Sequence, residues 1–408
     1  MRSCIKRKWY NSPMKLNVAV FFGGMSCEHE ISCITGNQAL KALDSEKYNV
    51  IPVYVSKDND LYTSENLFEL KNYYDLDALC KSCEKVCLYK DGNKVYMKPI
   101  KGLFVKPQTI DIAFLAMHGT GGEDGSLQGM MEMLDLPYTS SNVLGSAVGQ
   151  DKAIMKEILA YENIPMVPWF YVFSSDITSD IKNIEKKAKS IGYPLIIKPA
   201  NLGSSIGIEV VHKKEELLDA LNECAKYDDK LVVEKMVKKL KEVNISVMGN
   251  INGAKASAIE EVMKNDELLS FKDKYLNGGK SKQGTKSVKL PSSSGSKGMA
   301  STSRVVPAKL KAAKEKAIRE YALKTFRVLN ASGAVRIDFM IDGEDDAVYV
   351  NEINSIPGSL AFYLWNAVGI DFKQECDELI NNALAVYREK KKKTRSFDTN
   401  ILSNYKEN

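Results

Sequence analysis

The sequence predicts a three-domain protein of α/β and α+β class, opened by a domain built on a parallel sheet. Three observations predict it. Apolar, strand-like runs alternate with helical periodicity over roughly the first 125 residues, the pattern of β–α–β units around a parallel sheet. From about residue 230 the strands follow one another with few helices between them. Glycine-rich polar loops follow several strands, at the carboxyl edge where such sheets bind ligands. With 408 residues the chain is long enough for two or three substantial cores.

The elements can be justified in order. Met1 to Pro13 is basic and without periodicity, and Met14 to Phe22 reads as a first strand stopped by Gly23-Gly24. A helical pattern from Ser32 to Leu43, a strand from Asn49 to Val55 and the buried run Ile112 to Ala116 complete the first unit. The second begins near Gln150-Asp151-Lys152, with strands at 169–173, 195–198 and 208–211 and helices at 181–191 and 214–224. Strand 231–234 opens the third, followed by strands 243–248 and 255–262, helix 308–329, strands 334–341 and 347–351, and a closing helix at 371–387. Residues 277–303 are rich in Gly, Ser and Lys and nearly free of apolar side chains, so they form no core of their own and read as a lid or a tolerated insertion. The boundaries expected are 1–13 (extension), 14–140, 141–233 and 234–390 with a lid at 271–303, then a charged tail at 391–408.

Composition excludes several function classes. The net charge of +5 is carried by the tails: Arg2 to Lys8 and Arg388 to Arg395 supply about +9, leaving about −4 elsewhere. A nucleic-acid binder needs a basic face on its folded body, so none is expected as a partner, and the Lys run at 390–393 should end a helix in water. No run approaches the ~20 apolar residues of a membrane span, and the N-terminus lacks an apolar signal core. A cytoplasmic protein with its eight cysteines reduced is expected. Cys80, Cys83 and Cys87 lack a nearby fourth ligand for a closed zinc site. They read as chance clustering on an irregular segment.

Two loops and a pair of strands carry chemistry. His118-Gly-Thr-Gly-Gly-Glu-Asp-Gly125 follows the strand ending at Ala116. Lys198-Pro-Ala-Asn-Leu-Gly203-Ser204-Ser205-Ile-Gly207 lies between two strands, so it is not a Walker loop, whose glycines open a helix. A small-residue turn of this kind can fold over phosphates, with Lys198 placing a charge on them. In Arg336-Ile-Asp338 and Glu352-Ile-Asn354, residues two apart share a strand face. Two such strands side by side present two carboxylates, an amide and a guanidinium. Carboxylates with substrate phosphates are the usual holders of Mg²⁺. A surface ion-pair ladder is the alternative, but both strands are otherwise apolar, and buried acids without a cation are costly.

The Lys-loop followed by Asp…Glu-x-Asn resembles the ATP-grasp superfamily, which clasps ATP between two α+β units and forms an acylphosphate. Six motifs narrow the resemblance: Gly23 to Ser32, the His118 loop, Gln150-Asp151-Lys152, the Gly203-Ser204-Ser205 loop, Lys274-Tyr275 and Asn351 to Gly358. In this order they are similar to D-alanine–D-alanine ligases and span nearly everything between Met14 and Ala385. The resemblance implies a three-domain ATP-grasp fold with an N-terminal pre-ATP-grasp domain. It implies ATP-dependent ligation of two D-alanines through a D-alanyl phosphate, for peptidoglycan precursors. By the same resemblance Glu28 holds the first ammonium and His118 sits by that substrate's carboxylate. Lys152, Lys198, Ser205, Glu234, Lys235, Glu242 and Lys274 bind ATP. Asp338, Glu352 and Asn354 bind two Mg²⁺ or Mn²⁺ ions. Arg336 and the Gly358 N–H stabilise the oxyanion, Ser204 and Tyr275 link to Glu28, and Ser359 and Leu360 meet the second substrate. A homodimer is the family's usual assembly.

Two departures touch the acceptor. After Gly358 the family continues Met-Thr-Ser-His-Ser-Leu, whereas this chain has Ser359-Leu-Ala-Phe-Tyr-Leu-Trp365. The lid after Tyr275 is also longer than usual. A ligase joining D-alanine to D-serine, D-lactate or another amino acid is therefore the alternative, and a non-catalytic nucleotide-binding homologue a further one.

Overall fold

The computed structural model describes residues 15–102, 105–263 and 303–396. The expected extension 1–13, nearly all of the expected lid 271–303 with Lys274 and Tyr275, and the tail beyond residue 396 lie outside the described residues.

The first sheet has eight strands: β1 (Leu16–Gly23), β2 (Tyr48–Val55), β3 (Leu61–Thr63), β4 (Glu84–Asp91), β5 (Lys94–Pro99), β6 (Gln108–Ile110), β7 (Ile112–Leu115) and β8 (Tyr138–Thr139). Their spatial order is β6-β5-β4-β3-β2-β1-β7-β8. β1 runs parallel to β2 and β7, and β7 parallel to β8. The parallel expectation holds only there, because β2 to β6 pair antiparallel in sequence. Those added strands are short or half-exposed, which hides them from an apolar-run reading, and Cys87 lies exposed on β4 rather than in an irregular segment. Val18 to Phe22 are fully buried, as a central parallel strand covered on both faces must be. Helix α1 (His29–Ala42) packs against β1, and a side chain at Gly36 would collide with Phe22 at 2.2 Å. Short α2 (Leu76–Ser82) and α3 (Ser126–Leu134) complete this part.

Two helices, α4 (Val143–Gln150) and α5 (Lys152–Tyr161), lead into the second sheet. Asp151 breaks them and caps α5 by accepting from the Ala153 and Ile154 N–H groups. The sheet comprises β9 (Trp169–Phe173), β10 (Leu195–Pro199), β11 (Glu209–Val211) and β12 (Lys230–Lys235), antiparallel in the order β11-β10-β12-β9. Helices α6 (Asp176–Ser179), α7 (Ile181–Ile191) and α8 (Leu217–Cys224) pack with it. The third sheet is also antiparallel, ordered β15-β14-β13-β16-β17. Its members are β13 (Lys241–Asn250), β14 (Gly253–Met263), β15 (Ser303–Val305), β16 (Gly333–Ile341) and β17 (Val348–Asn354). Helix α9 (Ala312–Val328) supplies Ile318, Ala322 and Phe326 to its core, joined by Met155 and Leu159 from α5.

After short α10 (Phe362–Asn366), helix α11 (Phe372–Lys391) starts on a capping box made by Asp371 and Gln374. It returns to the first domain, where Leu379, Ile380 and Ala383 join the same core as Val18 and Phe114. The Lys run does not simply end in water. Lys390 pairs with Glu132, and Lys391 with Asp135, at the end of α3. Opposite charge at a helix end adds modestly at such partly exposed sites.

Candidate active site

The loops after β1, β7 and β10 meet at Glu28. Gly119 (φ 69°) lies so close that a side chain would fall 2.4 Å from the Ser26 hydroxyl and 3.0 Å from the Glu28 carboxylate. At Gly203 a side chain would fall 3.3 Å from the same carboxylate and press on it, while at Gly119 the left-handed backbone itself calls for glycine. The Ser204 hydroxyl donates to Glu28, joining the second sheet's loop to the first domain. Ser204 and Ser205 both hold left-handed backbone, φ 53° and 58°.

His118 sits beneath this contact and is buried. One ring nitrogen, Nδ1, meets the Ile356 carbonyl at 2.7 Å, and Nε2 meets the Thr35 hydroxyl at 2.7 Å. A carbonyl only accepts, so Nδ1 carries the proton and Thr35 donates to Nε2. The Ser359 N–H in turn donates to Thr35 at 2.9 Å. Burial lowers the His118 pKa, against the pull of Glu28, so the ring is neutral.

Glu123, which the sequence reading did not single out, ties the same loop to the end of β17. It accepts from Gly119 N–H at 2.9 Å and Ile356 N–H at 2.8 Å. Burial, with Glu28 nearby, pushes it up to about 7 from the ordinary 4.5. A carboxyl raised on folding contributes stability that is full below about 4.5 and lost as pH rises through about 7. Glu123→Gln removes this titration. Thermal melts at pH 5.5 and 8 should show wild type losing stability relative to the variant as pH rises, and parallel behaviour would refute the role.

Three lysines face two glutamates beside these loops. Lys156, on α5, is fully buried and stands 3.0 Å from Glu234 Oε1. Lys198, at the end of β10, stands 2.7 Å from Glu234 Oε2 and donates to Asn351 Oδ1 at 3.0 Å. Lys152 donates to the Leu202 carbonyl at 2.6 Å and lies 3.6 Å from Glu352. Burial would raise Glu234, but Lys156 and Lys198 outweigh it and bring it to about 2. Burial alone would lower Lys198, and Glu234 and Glu352 outweigh that, holding its ammonium above the ordinary range. For Lys156 burial wins and lowers it. Lys156 lies one helical turn from Lys152 on the same face, a spacing that could have revealed it. Lys235 is turned aside, donating at 2.8 Å to the Gly192 and Tyr193 carbonyls. Glu242 lies on β13, opposite Met340 and Val262.

Strand register assembles the acidic row. Asp338 pairs with Glu352, and Arg336 with Asn354, as residues two apart on adjacent strands should. Arg336 grips Asp338 with both ends of its fork, at 2.6 Å and 2.8 Å, and Asn354 Nδ2 donates to Asp338 at 3.2 Å. Burial would lower Arg336, but Asp338 holds it well above its ordinary value, with Tyr363 and Glu260 adding to this. Burial also works against Glu352 as an anion, and Lys152, Lys198 and Arg336 outweigh it to hold it below the usual range.

The row continues beyond what the motifs indicated. Asp338 pairs with Asn244 and Asn244 with Glu260, so four polar residues cross four strands on one face. Among the described residues no three His, Cys, Asp or Glu side chains could hold a metal unaided. Two carboxylates and an amide oxygen nonetheless fit Mg²⁺, which ordinarily takes one or two carboxylates and fills its shell with phosphate oxygens and water.

Beyond Pro357 the backbone is strained. Ser359, Leu360 and Ala361 have φ of 51°, 54° and 57°, each costing roughly 1–2 kcal/mol for an L-residue. Ser359 and Leu360 are buried, and Leu360 belongs to the first domain's core. The structure thus brings together Glu28, Ser204, His118, Lys152, Lys198, Glu234, Arg336, Asp338, Glu352 and Asn354, and turns Leu360 inward.

The family model of the D-alanine–D-alanine ligase N-terminus matches residues 17–141, and that of the C-terminus residues 158–381. The chain is also 39% identical over 388 residues to the D-alanine–D-alanine ligase of Thermosipho melanesiensis, covering 95% of this chain and 98% of that one. The chain belongs to the D-alanine–D-alanine ligase family. Solved structures of ligases agree. The D-alanine–D-alanine ligase of Coxiella burnetii superposes with a TM-score of 0.75 at 28% identity, covering 93% of this chain and 96% of its own. That of Bacillus anthracis in complex with ATP gives 0.62 at 26%, covering 92% and 99%. No helix among the described residues of this ligase is long and apolar enough to cross a membrane.

Proposed function

We propose that the chain joins two D-alanines at the expense of ATP, through a D-alanyl phosphate, for peptidoglycan precursors. Family membership makes it an ATP-dependent ligase of the D-alanine–D-alanine type. The observation that carries the finer reading is the Ser204–Glu28 hydrogen bond, which draws the Gly203 loop over the first domain beside Lys152 and Lys198.

In this reading Lys152 and Lys198 bind the phosphates, while Ser205, Glu234 and Glu242 border the nucleotide. Glu28 takes the first D-alanine's ammonium. That substrate's carboxylate oxygen attacks the γ-phosphorus, and ADP leaves. The second amine then attacks the acyl carbonyl, the Arg336 guanidinium and the Gly358 N–H receive the oxyanion, and phosphate departs as the amine loses its proton. Neutral His118 holds Thr35, and through it Ser359, in place beside the reacting carboxylate. Asp338, Glu352 and Asn354 would hold Mg²⁺ or Mn²⁺, two ions by family pattern, supplying charge neutralisation at the transferring phosphoryl group. The domain limits 14–140, 141–233 and 234–390, a homodimer and a cytoplasmic location complete the proposal.

The test is phosphate release with ATP and Mg²⁺ on D-alanine alone, then on D-alanine mixed with D-serine, D-lactate or L-amino acids, with product mass measured. Release with D-alanine alone and a dialanine mass is expected. Release only in a mixture would move the acceptor, and no release with any acceptor would defeat the reading.

A further inference from the structure

The residues after Gly358 depart from the family pattern where that pattern holds the second substrate's carboxylate. Counting from Gly358, the only polar side chain between Leu360 and Leu364 is Tyr363. Its hydroxyl donates to Glu260 Oε1 at 2.8 Å. The other oxygen of Glu260 accepts from Arg304 Nη1 at 3.1 Å, and Asn244 Nδ2 donates to Oε1 at 3.1 Å. Arg304 lies over the Tyr363 ring, its Cζ 4.9 Å from the ring centroid. Glu260 is fully buried and Arg304 half-buried.

Glu260 engages Arg304 through Nη1, while the buried Nε–H of Arg304 has no acceptor among the described residues. A guanidinium presents its donors as a planar fork that fits a carboxylate. This one already has its plane fixed by a ring and a glutamate, so little order is lost on binding. It also lies on the same sheet as the acidic row. Glu260 stands two strand spacings along the row from Asp338, roughly 10 Å, with Arg336 on the same strand as Asp338. Tyr363 is within electrostatic reach of both Arg336 and Arg304, so the two guanidiniums share one neighbourhood.

Resting on the functional reading above, we propose that Arg304, oriented by Glu260 and Tyr363, receives the carboxylate of the acceptor amino acid. It thereby selects acceptors that carry a free carboxylate, a role that the buried Ser359 and Leu360 do not offer with their side chains.

The test offers wild type and Arg304→Met a mixture of D-alanine and D-alaninamide, and measures dialanine against D-alanyl-D-alaninamide by mass, with KM for each site and for ATP. Wild type should favour the free carboxylate. In the variant this preference should fall at least ~10-fold and the acceptor KM rise ~10–100-fold, while KM for ATP and for the first D-alanine stays within about 3-fold. Arg304→Met leaves Glu260 buried without its ion-pair partner. If it fails to fold, Arg304→Met with Glu260→Gln removes both charges and carries the same measurement. An unchanged preference and acceptor KM in the folded variant overturns the assignment of Arg304 alone. Absence of any dipeptide from wild type overturns the functional reading and this inference with it.

Discussion

Lys156→Met is expected to destabilise the protein by about 1–3 kcal/mol, less than when a buried charge is left wholly unpaired, because Lys198 still pairs with Glu234. Neither partner can turn to water: the Lys156 side chain is 0% and Glu234 2% exposed. Methionine fills nearly the same volume, so the loss is electrostatic rather than a cavity effect. The pH dependence has a definite sign. Glu234 is held at about 2 against an ordinary 4.5, so its stabilisation is present above about 4.5 and disappears as pH falls toward 2. In the variant one of the two cations that hold it down is gone, and acid unfolding should begin at higher pH. Urea denaturation from pH 3 to 8 reads both effects, and pairing Lys156→Met with Glu234→Gln should restore much of the loss. Unchanged urea midpoints would mean the pair contributes nothing. There is a catalytic corollary. In the proposed reading Lys198, shared between Glu234 and Asn351, turns to a phosphate while Lys156 goes on neutralising Glu234.

Arg336→Lys should lower kcat by ~10²–10³, the range seen when an oxyanion donor is lost, with KM for ATP changed by less than about 3-fold. Lysine keeps the charge beside Asp338 but not the fork that now binds both carboxylate oxygens at 2.6 Å and 2.8 Å. The ammonium therefore covers one oxygen of Asp338, and nothing planar remains to face a developing oxyanion. Steady-state kinetics with saturating D-alanine separates the outcomes. Near-normal kcat would remove Arg336 from the reacting centre, and a proportional rise in ATP KM would place it at the nucleotide instead.

What was legible in the sequence was whatever repeats locally. The buried central strands β1, β7 and β16 announce themselves as apolar runs. The pairing of Arg336-x-Asp338 with Glu352-x-Asn354 follows from a period of two and adjacent strands. The half-exposed strands β3 to β6 carry no such run, so an eight-stranded mixed sheet was read as a shorter parallel one. Lys156 shares a helix face with Lys152 and was open to a local reading, but Glu123, Thr35, Glu260 and Arg304 were missed for another reason. Each acquires its role from a partner distant in the chain, such as Ile356 for Glu123 or His118 for Thr35, and no local pattern encodes such a meeting. The run after Gly358 could be seen to differ from its relatives. Only the fold shows that its tyrosine reaches Glu260.

The return of α11 has a consequence for how the chain is made. Leu379, Ile380 and Ala383 complete a core whose other members, Val18 to Phe22 and Ile112 to Leu115, are synthesised first. Translation runs from the N-terminus at a limited pace, and a domain ordinarily condenses as it emerges. Here the opening sheet emerges long before the helix that seals one side of it, and its apolar surface stays uncovered while more than two hundred further residues are added. The first domain to appear is thus among the last to close, and the order of the elements separates its synthesis from its completion.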